Sequence, residues 1–347
     1  MPTPFAINGF GRIGRALARI AHTRTDLELV AINDIAPVEQ LARLLARDSV
    51  HGPFPGRVEV QGDALVVDGR PIPTFRHPAP QDIPWQDTPA TLVVEATGRA
   101  TERRAAAAHL RPDGPSRVLI SAISSDADLL LCRGIDGEAF DAGKHHVVSN
   151  ASCTTNCLVL LLDVLRREFG LEHALMNEVH SYTGNQHLID APHDDPRRGR
   201  AAAVNIVPTY TAAPEAAQRL LPELKGKVDG IAVRVPTPNV ALLDLVARLE
   251  RPASVDEIRA AFRRQAEGRL QGLLGVSDEP LVSSDYIGDR HSAVVDLDLI
   301  QSLDSPPSTP NATSTDSTSL VRVVAWYDNE WGYAGRLADL VAQIGAP

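Results

Sequence analysis

The sequence predicts an α/β fold, with an N-terminal doubly wound parallel sheet and a second, α+β domain on a mixed or antiparallel sheet. The length of 347 residues suits two domains of ordinary size. In the first part of the chain, short apolar strands alternate with helical stretches, which is typical of a parallel sheet covered by helices. A glycine-rich turn joins the first strand to the first helix.

The N-terminal elements can be placed individually. Residues 5–7 predict a short buried strand, residues 15–21 a helix, and residues 27–32 a second apolar strand. Two further strand-like runs, at residues 91–95 and 117–121, alternate with an alanine-rich helical stretch at residues 101–110. This order of elements predicts strands that lie parallel in one sheet.

Composition and charge narrow the class of protein. Hydrophobic residues make up 44% of the chain, as in globular proteins with a large core. The net charge of −10 argues against a nucleic-acid partner. No apolar run reaches the roughly 18 residues that cross a bilayer, and the N-terminus lacks the basic segment of a signal peptide. The lack of such a run predicts no membrane partner. The odd and small number of cysteines, three, is typical of a reducing compartment, so the chain is expected to be cytoplasmic.

The turn after the first strand has the pattern G-x-G-x-x-G. Gly9 allows the tight turn, Gly11 lets the backbone approach a pyrophosphate, and Gly14 lets the helix pack close to the strand. The N–H groups and the positive dipole end of the helix favour an anion there. Asp34, about 20 residues further on, would accept hydrogen bonds from ribose hydroxyls and repel a 2′-phosphate. The segment predicts a Rossmann domain that binds NAD rather than NADP.

Four more residues are expected at this cofactor site. Arg12 and Ile13 lie inside the glycine motif, while Thr97 and Ser121 follow or end predicted strands. Because the carboxyl ends of parallel strands border the cofactor crevice, we expect all four near the dinucleotide.

A cysteine lies where a long buried helix is expected to begin. Residues 149–157 are mostly small and polar, and the apolar residues 158–162 follow them, so Ser152 or a neighbour can cap a helix. Cys153 would lie in the first turn, where the helix dipole favours a thiolate. Cys157 is expected to be a small buried hydrophobe. Since no second ligand pair lies nearby, the sequence predicts no metal site.

A nucleophilic cysteine needs a base or a cation beside it. His180 follows the strand-like run at residues 174–179 and is one candidate among eleven histidines. The pattern alone does not select it.

Six segments together resemble the phosphorylating, type I glyceraldehyde-3-phosphate dehydrogenase family, in the expected order and over nearly the whole chain. They are residues 7–15, 149–157, 180–184, 222–227, 234–239 and 326–333. The resemblance implies NAD as cofactor, with a small phosphorylated aldehyde and inorganic phosphate as substrates. It also implies a homotetramer.

The resemblance implies an NAD-dependent oxidative phosphorylation of glyceraldehyde 3-phosphate, a step of glycolysis. Cys153 would attack the aldehyde, and His180 would activate the thiolate and take the hydroxyl proton. Hydride transfer would leave a thioester, which phosphate attacks to release 1,3-bisphosphoglycerate. Asn329 would hold the nicotinamide carboxamide, with Tyr333 beside it.

Two phosphate sites are implied as well. Thr183 and Arg234 match the family positions that hold the substrate phosphate, and arginine suits this role because its fork meets two phosphate oxygens. Only three of the 34 basic residues are lysines, so phosphate binding must depend on arginine. The attacking phosphate would be held by Ser152, Thr154, Arg198, Thr211 and Ala212.

Three positions depart from the family pattern. Ala212 replaces a usual glycine, Glu215 replaces a lysine, and Asn185 lies where an aspartate is common. A carboxylate at Glu215 would weaken anion binding if it faced inward and would be harmless if it faced outward.

The departures leave several alternatives open. The chain could be an erythrose-4-phosphate dehydrogenase, a paralogue with altered phosphate use, or an enzyme that hydrolyses its thioester to the free acid. A non-catalytic, NAD-binding regulatory member of the family is the alternative from another class.

The expected domains are an NAD-binding Rossmann domain at residues 1–152 and a catalytic domain at residues 153–332. A C-terminal helix at residues 333–347 is expected to complete the first domain. A serine-, threonine- and proline-rich stretch at residues 304–319 predicts a flexible insertion in the second.

Overall fold

The computed structural model describes residues 1–135, 139–302 and 318–345. The chain divides into two compact units, one formed by residues 1–152 with the segment from residue 333 onward, and the other by Cys153–Gly332. Most of the predicted insertion, residues 304–317, lies outside the described residues. Its last two residues begin a strand.

The first unit contains strands β1 to β11 in its described residues. They are Thr3–Asn8, Leu27–Asn33, Arg47–Asp48, Gly52–Pro53, Val58–Gln61, Ala64–Val67, Arg70–Phe75, Leu92–Glu95, Arg117–Ile120, Leu129–Leu130 and Val147–Ser149. Nine of them form one sheet in the order β10-β11-β9-β8-β1-β2-β7-β6-β5. Every neighbouring pair from β10 to β7 is parallel, whereas β7, β6 and β5 run antiparallel. The predicted parallel sheet is confirmed.

The described residues 1–152 contain three α-helices and three 3₁₀ turns, which connect these strands. They are α1 (Arg12–His22), α2 (Val38–Ala46) and α3 (Arg103–Ala106), with 3₁₀ turns at Pro80–Asp82, Trp85–Asp87 and Ala107–His109. The helix predicted at residues 101–110 is thus much shorter than expected. It tightens into a 3₁₀ turn where the His109 side chain enters the core, and the buried ring there contacts Trp85 and Glu95. A buried imidazole needs such polar partners.

The second unit is built on a mixed sheet. Its strands are β12 (Leu171–Ser181), β13 (Val207–Thr209), β14 (Val228–Val235), β15 (Ala241–Ala253), β16 (Leu274–Ser277), β17 (Ala293–Ser302) and β18 (Thr318–Tyr327). The order is β13-β14-β12-β15-β18-β17-β16. The β12–β14 and β16–β17 pairs are parallel, and the other neighbours are antiparallel. This agrees with the predicted mixed sheet.

The helices of the second unit are α4 (Cys153–Phe169), α5 (Ala213–Leu220) and α6 (Val255–Glu267), with 3₁₀ turns at Pro222–Leu224 and Ser283–Tyr286. Helix α6 begins with a capping box, in which Ser254 and Glu257 each satisfy the other's backbone N–H. The last helix, α7, spans Trp331–Ile344. From residue 333 it belongs to the first unit, where Asp339 pairs with Arg24 at 2.6 Å.

Helix α4 is the central helix of the second unit. Thirteen of its 17 residues are buried, and it packs against α5, α6 and strands β12, β15, β17 and β18. Asp163 is fully buried on this helix. Its carboxylate pairs with Arg166 at 2.6 Å and Arg167 at 2.9 Å, and also with Arg269. The apolar burial of α4 fixes the position of its first residue, Cys153.

Among the described residues, no helix combines the length and the apolarity that crossing a bilayer requires.

We expect Asp163→Asn to lower the free energy of unfolding by about 3 kcal/mol, because three guanidinium groups lose the buried carboxylate that they share. Thermal unfolding followed by circular dichroism measures the change. Asp256→Asn is the control, since Asp256 is exposed on α6 and lies 3.5 Å from Arg259. That surface pair should contribute less than about 0.5 kcal/mol. Equal destabilisation by both substitutions would contradict the role given to Asp163.

Candidate active site

The glycine turn after β1 has no room for side chains at two of its three glycines. Gly9 has φ +93, and an added Cβ would lie 2.7 Å from the backbone nitrogen of Thr97. A Cβ on Gly14 would lie 2.3 Å from the Gly9 carbonyl oxygen. At Gly11 an added Cβ would meet no atom within 4 Å, so the backbone faces open space. The turn therefore packs tightly at its ends and is accessible at its centre.

This open space belongs to a cleft of about 700 Å³ in the first unit. Gly9, Gly11, Asp34 and Thr97 are among its lining residues. Helix α1 starts at the cleft, and its first intrahelical bond joins the Arg15 N–H to the Gly11 carbonyl at 3.0 Å. The backbone N–H groups in the first turn of a helix have no acceptor within the helix, and they attract anions. The cleft thus fits the pyrophosphate of a dinucleotide.

Asp34 lies just after β2 and is held by backbone amides. Its Oδ2 accepts from the Phe10 N–H at 2.7 Å and its Oδ1 from the Ala36 N–H at 2.9 Å. Each carboxylate oxygen can accept a second hydrogen bond. The side chain is only half-buried, so it can accept from ribose hydroxyls as the sequence predicts.

The other four predicted cofactor residues lie at the same end of the sheet, with differing exposure. Ile13 is half-buried in the first turn of α1, and Ser121 follows β9. The Arg12 guanidinium pairs with the Asp48 carboxylate. Burial would raise the pKa of Asp48, but backbone N–H donors and Arg12 lower it to about 2. The Arg12 side chain is thus engaged by an anionic partner of its own.

Thr97 rests on a buried carboxylate that the sequence analysis missed. Glu95, at the end of β8, accepts from the Thr97 backbone N–H at 2.8 Å and from its hydroxyl. Its other oxygen accepts from Asn8 Nδ2 at 2.6 Å and lies 3.0 Å from His109 Nε2. Burial would raise the pKa of Glu95, but His109, Thr97 and Asn8 together lower it. A Glu at a predicted strand end was the available signal.

In the second unit, Cys153 is the first residue of α4 and His180 lies near the end of β12. The Cys153 Sγ lies 3.6 Å from His180 Nε2. The sequence pattern left His180 as one of eleven candidates, and the structure brings it to the thiol. Cys157 is fully buried one turn later, as expected.

Two partners compete for the other ring nitrogen of His180. Nδ1 lies 2.6 Å from the Ser181 carbonyl oxygen and 2.7 Å from Nη1 of Arg234. Arg234 reaches this position because β12 and β14 are parallel and pair His180 with Arg234 in register. The same Nη1 lies 3.0 Å from the Ser181 carbonyl oxygen.

Glu178 is the second residue that the sequence analysis missed. It precedes His180 by two positions on β12, so both side chains are on the same face of the strand. Its Oε1 lies 3.6 Å from His180 Nε2 and accepts from the Thr154 hydroxyl at 2.7 Å. Thr154 in turn lies 2.9 Å from the Tyr327 hydroxyl. The signal for Glu178 was its spacing from the histidine.

Burial and charge shift the pKa values of both reactive groups. Burial, with the Glu178 carboxylate, raises the pKa of Cys153, although Thr154 and Arg234 oppose this. Burial, with the Arg234 charge, lowers the pKa of His180, and Glu178 opposes it. The helix dipole favours a thiolate at Cys153, whereas desolvation of the buried thiol acts in the opposite direction.

Asn329 and Tyr333 lie in different units. Asn329 is buried in the second unit, and its Oδ1 accepts from the Ser181 hydroxyl at 3.0 Å. Tyr333 is buried in the first, and its hydroxyl donates to the Ala151 carbonyl at 3.0 Å. Ala151 itself has φ +52, a left-handed conformation that costs a non-glycine residue about 1 kcal/mol. Tyr333 therefore supports the turn that leads to Cys153.

Two of the predicted phosphate residues, Arg198 and Arg234, interact through their charges. Arg198 donates from Nε to the Thr209 hydroxyl at 2.8 Å. Burial and the charge of Arg234 lower the pKa of Arg198, so the two guanidinium groups interact. Thr183 donates its hydroxyl to Asn185 Oδ1 at 2.7 Å, and Thr211 accepts from the Ala213 N–H at 3.3 Å.

The remaining predicted phosphate residues lie at helix N-termini. Thr154 is in the first turn of α4, with its hydroxyl engaged by Glu178, and Ser152 immediately precedes that helix. Ala212 is the N-cap of α5, with φ −88, so this position does not require glycine. Glu215 is exposed and accepts from the Tyr210 hydroxyl at 3.1 Å, which is the outward arrangement.

Two family models match the chain. One describes the NAD binding domain of glyceraldehyde 3-phosphate dehydrogenase and matches residues 3–103. The other describes the C-terminal domain of glyceraldehyde 3-phosphate dehydrogenase and matches residues 152–329.

Curated relatives match along their whole length. The glyceraldehyde-3-phosphate dehydrogenase of Geobacillus stearothermophilus is 45% identical over 346 residues, which cover 100% of this chain and 99% of the relative. Glyceraldehyde-3-phosphate dehydrogenase 1 of Bacillus subtilis is 45% identical over 344 residues, covering 99% and 98%. The Mycobacterium avium enzyme of the same name is 45% identical over 352 residues, covering 99% of each chain. With both family models matched as well, this chain belongs to the glyceraldehyde-3-phosphate dehydrogenase family.

Proposed function

We propose that this chain is an NAD-dependent aldehyde dehydrogenase that converts glyceraldehyde 3-phosphate and inorganic phosphate to 1,3-bisphosphoglycerate, a reaction of glycolysis. The observation that carries the proposal is the 3.6 Å contact between Cys153 Sγ and His180 Nε2 in a member of this family. A thiol beside an imidazole is the arrangement of a nucleophile with its base. The names of the curated relatives do not favour erythrose 4-phosphate as the substrate.

Cys153 is the nucleophile in this mechanism. Its sulfur attacks the aldehyde carbon while its proton passes to His180, which returns that proton to the carbonyl oxygen, so the resulting hemithioacetal carries a hydroxyl group and His180 is again a neutral base. His180 then takes the proton of that hydroxyl as the carbon is oxidised. NAD, when bound, supplies the acceptor for the hydride. The thioester left on Cys153 is cleaved by phosphate, which regenerates the sulfur and releases the acyl phosphate.

The first unit is the NAD-binding domain in this proposal, and the second is the catalytic domain. The open backbone at Gly11 receives the pyrophosphate, and Asp34 accepts from the adenosine ribose. The further cofactor residues are Arg12, Ile13, Thr97, Ser121, Asn329 and Tyr333.

Arginine supplies the cations for both phosphate groups. Arg234 and Thr183 hold the phosphate of the aldehyde, whereas Arg198 and Thr211 hold the attacking phosphate with Ser152, Thr154 and Ala212. The outward Glu215 and the ordinary backbone angles of Ala212 support normal phosphate use despite the departures from the family pattern.

The chain is proposed to be cytoplasmic and to assemble as a homotetramer. Several large apolar side chains in the second unit are exposed, and such surfaces are typical of subunit interfaces. They are Leu175, Leu188, Ile189, Val204, Ile206 and Ile231.

The first test of function is NADH formation at 340 nm with NAD and glyceraldehyde 3-phosphate, with and without inorganic phosphate. We expect sustained turnover only with phosphate. Cys153→Ser should reduce kcat at least about a thousandfold, and His180→Asn about a hundredfold or more. Cys132→Ala, which removes a buried thiol of the first unit, is the control and should keep its turnover. A single burst of NADH without phosphate-dependent turnover would contradict the phosphorylating reaction.

Cofactor selection is tested at Asp34. We expect Asp34→Ala to raise KM for NAD by about 10- to 100-fold, because hydrogen bonds from the ribose to a charged acceptor are lost. The ratio of kcat/KM for NAD to that for NADP should fall with it, since the repulsion of a 2′-phosphate is removed. Steady-state kinetics with both cofactors measure the ratio. An unchanged ratio would show that Asp34 does not read the ribose.

A further inference from the structure

Two buried rings of the first unit lie behind the residues that line the cofactor cleft. Trp85 and His109 are fully buried, and Glu95 is buried beside them. The Trp85 indole Nε1 donates to His109 Nδ1 at 2.9 Å, and His109 Nε2 lies 3.0 Å from Glu95 Oε2. Glu95 lines the cleft, whereas Trp85 and His109 do not. The Glu95 carboxylate therefore connects the two rings to the cleft.

The Trp85 indole fixes the position of the proton on the imidazole. An indole N–H can only donate, so His109 Nδ1 accepts and the neutral ring carries its proton on Nε2. That proton is directed toward Glu95 Oε2, which also accepts from Asn8 Nδ2 at 2.6 Å. Because both groups donate to the same oxygen, Asn8 Nδ2 and His109 Nε2 lie only 3.4 Å apart. These contacts all agree with one tautomer.

The other oxygen of Glu95 holds the loop that follows β8. Oε1 accepts from the Thr97 backbone N–H at 2.8 Å and from the Thr97 hydroxyl. The hydroxyl oxygen in turn accepts from the Arg99 N–H at 3.1 Å, across Gly98, which has φ +69. Each carboxylate oxygen thus has two donors. A rotation of the Glu95 carboxylate would break these hydrogen bonds, so the loop is fixed to it.

The number of donors requires a carboxylate at this position. A carboxylate accepts on both oxygens, whereas an amide accepts on one side and donates from the other. Burial would raise the pKa of Glu95, but the donors around it lower the pKa, and the group stays ionised. Because four donors offset its charge, Glu95 can lie beneath a turn that binds an anion.

The loop after β8 supports the glycine turn that receives the pyrophosphate. A Cβ on Gly9 would lie 2.7 Å from the Thr97 nitrogen and 2.8 Å from the Ala96 carbonyl carbon, so the two backbones are in close contact. Gly11, the open centre of the turn, follows two residues later. Because close-packed backbones move together, a shift of Thr97 would displace the turn.

Asn8 extends the network to the side of the cleft where Asp34 lies. Its Oδ1 accepts from Asn33 Nδ2 at 2.8 Å. Asn33 also donates to the His77 carbonyl and accepts from the His77 N–H, each at 2.9 Å. Asn33 directly precedes Asp34, the proposed ribose acceptor. The network therefore joins the ends of β8, β1 and β2 to the segment after β7.

We propose that Glu95 is a positioning residue for the cofactor, which holds the NAD-binding backbone in its binding conformation, and that His109 and Trp85 orient its carboxylate. Glu95 acts through Thr97 and Asn8. Backbone donors that are already in place lose less conformational freedom when a ligand binds, which increases affinity. The inference rests on the proposed function only in assigning NAD to this cleft.

The test measures the Kd for NAD by isothermal titration calorimetry, using the full chain without aldehyde. We expect Glu95→Gln to raise Kd at least about tenfold, because the amide nitrogen would face two donors. His109→Phe should raise it about threefold or more, although His109 does not line the cleft. In steady-state kinetics, the rise in KM for NAD should exceed any fall in kcat at least about tenfold in Glu95→Gln.

Asp128→Asn is the matched control in the same unit. The Asp128 carboxylate also accepts from two backbone N–H groups, those of His146 at 2.9 Å and Val147 at 2.8 Å, but it does not line the cleft. We expect this variant to be destabilised and to keep the Kd for NAD. A Kd that rises equally in Asp128→Asn and Glu95→Gln would overturn the proposal, since the effect would then follow from general destabilisation.

A spectroscopic test at the far end of the network does not require a change at Glu95. Thr97 is exposed, so Thr97→Val should fold, and Thr97→Ser keeps the hydroxyl. We expect Thr97→Val, but not Thr97→Ser, to raise Kd and to shift the ¹H–¹⁵N signal of the Trp85 indole, which Trp85→Phe assigns. A Kd that rises while the Trp85 signal stays in place would give Thr97 a local role and overturn the proposal.

The failure of this inference can be told apart from the failure of the proposed function. An unchanged Kd in Glu95→Gln, with phosphate-dependent NADH formation by the unaltered chain, would overturn the inference and leave the function in place. An unaltered chain that binds no NAD would overturn both.

Discussion

The chemistry proposed for the second unit depends on one contact, between the Cys153 sulfur and the Nε2 ring nitrogen of His180. Helix α4 presents Cys153 at its first residue, and β12 presents His180 near its last. Neither position is adjustable, because α4 is buried along most of its length and β12 is paired with strands on both sides. The 3.6 Å separation of Sγ and Nε2 is thus set by core packing and strand register.

The register of β12 and β14 also positions the charged side chains around Cys153 and His180. In the parallel ladder, His180 lies opposite Arg234. Because side chains alternate along a strand, Glu178 shares the face of His180. A shift of one residue would place the histidine on the other face of the sheet and separate it from the thiol. The charged groups around Cys153 and His180 are therefore positioned by the register of β12 and β14.

A different constraint governs the first unit, where backbone contacts shape the cleft. Gly9 and Gly14 are packed against other backbone atoms, whereas Gly11 faces open space. Below this turn, the buried Glu95 carboxylate joins Asn8, His109 and the more exposed Thr97 in one hydrogen-bond network. The network connects the ends of β1 and β8, so a buried carboxylate holds the floor of the cleft in place.

Much of the fold and part of the candidate site could be predicted from the sequence, because some of the signals are local. The glycine spacing and the apolar run after Cys153 are local signals, and they placed the cofactor turn and the start of α4 correctly. The pairing of Cys153 with His180 is a long-range contact, which a pattern along the chain does not specify. Glu178 and Glu95 were missed because a glutamate is usually exposed, although the spacing of Glu178 from His180 and the strand-end position of Glu95 were available signals. The short α3 and the raised pKa of the Cys153 thiol both result from burial, which local sequence patterns do not specify.

The scarcity of lysine bears on the chemistry of the proposed product. An acyl phosphate is an acylating agent, and an unprotonated amine is a nucleophile that can attack its carbonyl carbon and displace phosphate. The cations proposed to hold phosphate here, Arg198 and Arg234, are guanidinium groups that remain protonated and cannot act in this way. Lys144, Lys225 and Lys227 are the only lysines of the chain, and none belongs to the proposed site. The two proposed phosphate-binding arginines therefore do not react with the acyl phosphate that they help to form.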